Sequence, residues 1–200
     1  MDREMQAHPS VLVFAGSVRT GSLNRKLARA AATALERQGL QVTLADLRDY
    51  TMPMYDGDLE ASAGMPDSAK AFKHLVKSHD ALAIASPEYN GSYSALLKNA
   101  IDWATRSEPG EPRVAAFAGK KAAIMAASPG QNGGQRGLRH LRELLSMIHV
   151  DVLPQQFALA NAANAFDAEG NLLRTEDRGA LDRLAEDLAR ALNVGTAAAA

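Results

Sequence analysis

The sequence predicts a doubly wound α/β fold: a five-stranded parallel sheet of order 2-1-3-4-5 with helices on both faces. Two observations predict it. Short apolar runs alternate along the chain with stretches whose apolar residues recur every three or four positions, the rhythm of strands joined by crossover helices. Three of the runs pass directly into polar, glycine-bearing loops: Gly16-Ser17-Val18-Arg19-Thr20-Gly21-Ser22-Leu23-Asn24, Ser86-Pro87-Glu88-Tyr89-Asn90-Gly91-Ser92 and Ser128-Pro129-Gly130-Gln131-Asn132-Gly133-Gly134. Open parallel sheets bind ligands beyond the carboxyl ends of their strands, and the order 2-1-3-4-5 sets these three loops side by side.

Each element has its own signal. Residues 11–15 are continuously apolar, as a central strand covered on both faces requires. A helix opens at Ser22, carries Leu23, Leu27, Ala31 and Leu35 on one stripe, and stops at Gly39. Residues 40–47 alternate as a second strand, and 48–65, with Pro53, Gly57 and Gly64, read as a long irregular segment. Asp67 or Ser68 starts a second helix with Ala71, Leu75 and Val76; Ala81–Ala85 is the third strand. Leu96, Leu97, Ala100, Ile101 and Ala104 mark a third helix, stopped by Pro109, Gly110 and Pro112. Residues 122–127 form the fourth strand, Leu138, Leu141, Leu145 and Ile148 a fourth helix, and 150–159 the fifth strand. Leu181, Leu184, Leu188 and Leu192 mark a closing helix.

Composition narrows the function. Two hundred residues, 46% hydrophobic, without a linker-like stretch, suit one domain over 1–200 with disordered tails at about 1–9 and 195–200. Lys and Arg (22) nearly balance Asp and Glu (23), and no basic run could follow a nucleic acid backbone, so neither nucleic acid nor membrane is an expected partner. There is no cysteine, which excludes disulfides and thiol chemistry and suits a reducing cytoplasm; redox work would fall to a bound cofactor. His74, His79, His140 and His149 have no metal-ligand spacing, and no metal is expected.

The first loop reads as an anion nest. Ser17, Thr20 and Ser22 offer hydroxyls, Asn24 an amide and Arg19 a guanidinium, beside the unpaired N–H groups of a helix start. No lysine stands where a nucleotide-hydrolysing P-loop needs one, and the glycines do not make the dinucleotide fingerprint. A bound monophosphate, neither hydrolysed nor transferred, fits best. The second loop combines a turn, read as type I or II, with a flat aromatic and amide groups, and the third brings backbone close through its glycines. A phosphate nest and a slot for a flat ring on one sheet edge describe flavin mononucleotide.

Four segments then carry a resemblance: Gly16-Ser17-x-Arg19-x-x-Ser22-x-Asn24; Met52-Pro53-Met54-Tyr55-Asp56-x-Asp58-Leu59; Pro87-Glu88-Tyr89-Asn90-Gly91-Ser92 leading into Leu97-Lys98-Asn99-Ala100-Ile101-Asp102-Trp103; and Ser128-x-Gly130-x-x-Gly133-Gly134. The chain resembles the NAD(P)H-dependent FMN reductases of flavodoxin-like fold, especially the branch reducing quinones, chromate and azo compounds. The resemblance implies that Ser17, Arg19, Ser22, Leu23 and Asn24 hold the FMN phosphate, that Pro87, Glu88, Tyr89, Asn90 and Gly91 line the isoalloxazine, and that Ser128 and Gly130 flank it. Where the family commonly has proline at the start of the third helix, this chain has Ser94, which can cap the same turn. Residues 161–175 match nothing in the pattern.

The resemblance also implies that NADPH or NADH is the co-substrate, that the flavin carries the chemistry without a catalytic side chain, and that turnover is ping-pong with broad acceptor choice. It further implies a homodimer or tetramer, with Asp102, Trp103 and Arg106 meeting a partner and the loop 52–59 bordering the partner's flavin. The competing readings are a flavodoxin-type electron carrier, disfavoured by the near-neutral charge, and a non-catalytic FMN-binding regulatory protein.

Overall fold

A computed structural model of the chain describes residues 8–193. The expected tail at 195–200, and residues 1–7 of the leading one, lie outside them. The main sheet contains β1 (Ser10–Ala15), β2 (Gln41–Ala45), β3 (Ala81–Ala85), β6 (Lys121–Ala127), β7 (Asp151–Val152) and β8 (Phe157–Leu159); β4 (Glu88–Tyr89) and β5 (Ser92–Tyr93) form a separate hairpin. The order is β2-β1-β3-β6-β7, with β8 also paired to β6, and every pairing in this sheet is parallel. This is the expected 2-1-3-4-5 topology. Among the described residues six α-helices accompany it: α1 (Leu23–Arg37), α2 (Gly57–Ala63), α3 (Asp67–Lys77), α4 (Ala95–Ala104), α5 (Gln135–Met147) and α6 (Thr175–Ala191).

The period of two along each strand divides the core. Val11 and Val13 face the layer of α1 and α6 with Leu27, Leu35, Leu184 and Leu188. Leu12 and Phe14 face the opposite layer with Phe72, Leu97, Leu138 and Leu141. Both faces of the central strands are therefore buried, which explains why they read as unbroken apolar runs.

Two expectations need correction. The fifth strand is split: Leu153 N–H still donates to Ala122 O (2.9 Å), but Pro154 has no N–H and the ladder stops before resuming at β8. The Arg142 guanidinium covers the interruption, donating to the carbonyls of Leu153 (2.7 Å) and Pro154 (3.2 Å). The segment 48–65 is also less irregular than expected, for it holds α2, whose start is capped by the Asp56 carboxylate accepting from Asp58 N–H (2.8 Å). None of the α2 residues is buried, so no apolar period marked the helix. Among the described residues no helix is long and apolar enough to cross a membrane.

Candidate functional site

The register brings the three loops together. Ala15 lies opposite Ala85, and Ala85 opposite Met125, so β1, β3 and β6 end side by side. Gly16 N–H donates to Ala85 O (2.9 Å) and Ser86 N–H to Met125 O (2.8 Å), which carries the pairing into the loops. They enclose a cleft of roughly 660 Å³ counted out to its mouth. Its walls are Ser17, Arg19, Gly21, Ser22, Leu23 and Asn24 from the first loop, Pro87, Glu88 and Tyr89 from the second, and Ala127, Ser128 and Pro129 from the third. Asn90, Gly91 and Gly130, also expected at the site, are not among the lining residues. Gly21, Ala127 and Pro129 line it although sequence reasoning did not single them out; Ala127 gave no chemical signal.

The first loop delivers donors to one end of the cleft. Ser22 caps α1, its Oγ accepting from Arg25 N–H (3.3 Å). Leu23 and Asn24 begin the helix, where backbone N–H groups have no carbonyl one turn earlier. The Arg19 side chain is exposed and makes no hydrogen bond or ion pair among the described residues. A free guanidinium, two buried serine side chains at 6% exposure and a helix N-terminus form a donor set suited to a phosphate. Asn24 has a structural role that the sequence did not suggest. Its amide pairs with the backbone of Ala127: Nδ2 donates to Ala127 O (2.9 Å), and Oδ1 accepts from Ala127 N–H (2.9 Å). The side chain joins α1 to the end of β6, and one of its two Nδ2 hydrogens is taken by that bond.

The second loop is a hairpin. Asn90 (φ 51°) and Gly91 (φ 80°) are both left-handed between paired Tyr89 and Ser92. This is the type I′ pattern favoured by Asn-Gly, in place of the type I or II turn expected. Glu88 accepts from Gly137 N–H (2.9 Å) in the first turn of α5, so its carboxylate caps a helix and holds the hairpin against it. Tyr89 remains half exposed at the cleft. Ser94 caps α4 as the sequence suggested, accepting from Leu97 N–H (3.2 Å), and its hydroxyl also donates to Gly16 O (2.6 Å). A Cβ at Gly16 would lie 2.9 Å from the Leu97 Cβ, so this close approach requires glycine.

The third loop turns through Gly133 and Gly134, with φ of 58° and 90°. A Cβ on Gly134 would fall 2.6 Å from that of Ala126. Ser128 N–H donates to Leu159 O (3.0 Å), and Asn161 N–H donates to Gly130 O (3.1 Å). The start of the segment 161–175 thus braces this loop.

Trp103 does not serve the role the resemblance implied. It is fully buried, its indole N–H donates to Pro53 O (2.8 Å), and Tyr55 meets its ring edge-on with centroids 5.0 Å apart. Asn99 supports the same segment, donating to Pro53 O (2.9 Å) and accepting from Tyr55 N–H (2.8 Å). Arg106 pairs with both oxygens of Glu60 (2.8 and 2.9 Å), and Lys98 with Asp102 (2.6 Å). Asn99 and Trp103 thus fasten the loop 52–59 to α4 within one chain, Arg106 ties α2 to the end of α4, and Lys98 pairs within α4; the Trp103 ring has no surface left to offer a partner.

A flavodoxin-like sheet with an anion nest at the end of its first strand, facing an aromatic hairpin and a glycine-rich loop, defines a class of flavin-binding oxidoreductases. The chain belongs to the NADPH-dependent FMN reductase family, whose pattern it matches over residues 9–164. It is 41% identical over 169 residues to an NAD(P)H-dependent FMN reductase of Pseudomonas aeruginosa, covering 84% of this chain and 86% of that one. It is 34% identical over 184 residues to a quinone reductase of Escherichia coli, covering 89% and 90%. Among solved structures, a flavoenzyme NAD(P)H:(acceptor) oxidoreductase of Paracoccus denitrificans superposes with a TM-score of 0.73 at 29% identity, covering 91% of this chain and 98% of that one. The protein is thus an oxidoreductase that works with FMN and reduced nicotinamide.

Proposed function

We propose that this enzyme reduces quinones and similar flat acceptors at the expense of reduced nicotinamide, with FMN seated in the cleft between the three loops. The observation that carries the reading is the unpaired Arg19 beside the N-terminus of α1, at one end of a cleft whose other walls are Pro87, Tyr89 and Ser128. Bound FMN supplies the two-electron redox chemistry. Ser17, Arg19, Ser22 and the backbone of Leu23 and Asn24 hold its phosphate. Pro87, Glu88 and Tyr89 stand along the ring on one side, and Ser128 on the other.

No side chain in this reading moves a proton. Glu88 is the one carboxylate lining the cleft, and it already accepts a helix N–H. The quinone reductase among the relatives supports the acceptor class. Assembly as a homodimer or tetramer in the cytoplasm belongs to the same reading; Met54, 69% exposed in the loop 52–59, is a side chain that a second copy could cover.

The test is direct. Denatured protein should release FMN and not FAD on chromatography, and the FMN-loaded protein should oxidise NADPH or NADH faster when a quinone is added. Because reduced nicotinamide and acceptor would use the same open face of the ring in turn, initial rates over a grid of both substrates should give parallel double-reciprocal lines. Failure to bind FMN, or binding without turnover, would overturn the reading. Sedimentation at micromolar concentration reads the assembly.

A further inference from the structure

Ser17 lines two pockets: the cleft described above, and a second one of about 500 Å³ on the other side of the first loop. The second pocket lies at the carboxyl end of the edge strand β2. Its floor is aliphatic, with Ala28, Leu44 and Leu47, and Leu44 is 44% exposed, a large apolar side chain open to solvent. Its rim is cationic. Arg25 and Arg29 line it, and Arg48 stands beside it.

The pocket's carboxylate is already engaged. Asp46 Oδ2 accepts from Arg25 (2.5 Å) and Arg48 (2.7 Å), and Oδ1 accepts from Arg48 N–H (3.1 Å). The Arg48 hydrogen bond, opposed by partial burial, holds the Asp46 carboxyl below its ordinary pKa. Arg29, by contrast, makes no hydrogen bond or ion pair among the described residues. Two guanidinium groups thus hold the carboxylate, and a third, Arg29, lines the same pocket unpaired. In sheets that bind a dinucleotide through a glycine fingerprint, which this chain lacks, an acidic residue about 20 positions on accepts from a ribose 2′-hydroxyl, whereas a nearby arginine receives a 2′-phosphate. Asp46, just past the end of β2, has its acceptors taken, and the surplus charge is positive.

We propose that this pocket takes the 2′-phosphorylated adenosine end of NADPH, with Arg29 and Arg25 meeting the phosphate and the base lying on Leu44. This rests on the reading that the enzyme oxidises reduced nicotinamide. The shared Ser17 wall makes the two pockets neighbours, so one extended dinucleotide can engage both. The site selects NADPH over NADH by an ion pair that NADH cannot form.

The test uses FMN-loaded protein, Arg29→Ala, and Arg37→Ala as a control at the far end of α1, where Arg37 pairs with Asp182. Calorimetry should show adenosine 2′,5′-bisphosphate binding about tenfold or more tightly than 5′-AMP, with Arg29→Ala removing most of that difference. In steady-state assays Arg29→Ala should raise KM for NADPH about tenfold while changing KM for NADH less than about twofold, and Arg37→Ala should match the parent protein. Equal binding of the two adenosine phosphates, competition by inorganic phosphate as effective as by the bisphosphate, or equal loss with both nicotinamides would overturn the proposal. If the bisphosphate binds as expected but neither nicotinamide is oxidised, the functional reading fails and the pocket's assignment to a 2′-phosphoadenosine group stands.

Discussion

Asn24 and Ala127 lie 103 residues apart in the chain and exchange two hydrogen bonds of 2.9 Å each, so the amide of one side chain pairs with a strand's backbone as a neighbouring strand would. The start of α1 is thereby fixed to the end of β6, across the cleft's inner wall. Asn24→Ala would leave a buried N–H and C=O unpaired. The expected cost is about 2–4 kcal/mol in denaturant unfolding, with weaker FMN binding as a second effect. Unchanged stability would show that water or a shift of the loop replaces both bonds.

Arg19→Ala should act in the opposite way. The side chain is exposed and unpaired, so its loss should not change the unfolding midpoint. FMN affinity should fall by about 1–3 kcal/mol, the scale of a charge-assisted hydrogen bond to phosphate. Titrating the apo-protein with FMN measures it, and an unaltered affinity would remove Arg19 from the phosphate site.

Two glycines in the loops should respond differently to one added methyl group. Gly134→Ala places a Cβ 2.6 Å from that of Ala126 at a φ of 90°, and should destabilise the fold by about 2 kcal/mol or more. At Gly21 a Cβ meets nothing within 4 Å, so Gly21→Ala should unfold at the parent temperature. Equal melting temperatures for the two variants would contradict the packing described for the third loop.

Acid stability should depend on Glu111. Lys73, only 1% exposed, pairs with Glu108 (2.9 Å) and with Glu111, which also pairs with Lys77. The Lys73 and then the Lys77 hydrogen bonds draw the Glu111 pKa down to about 2. A depressed carboxylate stabilises the fold fully above its unfolded pKa near 4.5, and that contribution is lost as pH falls toward 2. Glu111→Gln should therefore cost about 2 kcal/mol at pH 7, below what the pKa displacement alone implies because 17% of the side chain still meets water. The difference from the parent protein should shrink across pH 4.5 to 2; a constant difference would mean that the carboxylate's charge is not what stabilises it.

Much of this architecture was legible because buried parallel strands have little choice of composition. The run at Ala81–Ala85 and the spacing of Leu27 and Leu35 are direct consequences of being covered by helices. The loops were legible for the same reason in reverse, since polar residues and glycines directly after such a strand have few structural uses. What was missed had no local signal. The exposed helix α2 has no apolar stripe, and the pairing of Asn24 with Ala127 depends on a contact between distant segments. The partner-facing role that the resemblance implied for Trp103 gave no hint of the loop folded over it within the chain, here Pro53 and Tyr55.

The single hydroxyl of Ser94, bonded at once to Leu97 N–H and Gly16 O, means that the start of α4 and the first loop cannot shift independently. With Glu88 fixed to α5 and Asn24 to β6, each wall of the cleft is anchored outside its own loop. A receptor braced in this way loses little conformational freedom on filling, so variants in these anchors should chiefly shorten the residence time of the cofactor, with only a small effect on how fast it arrives.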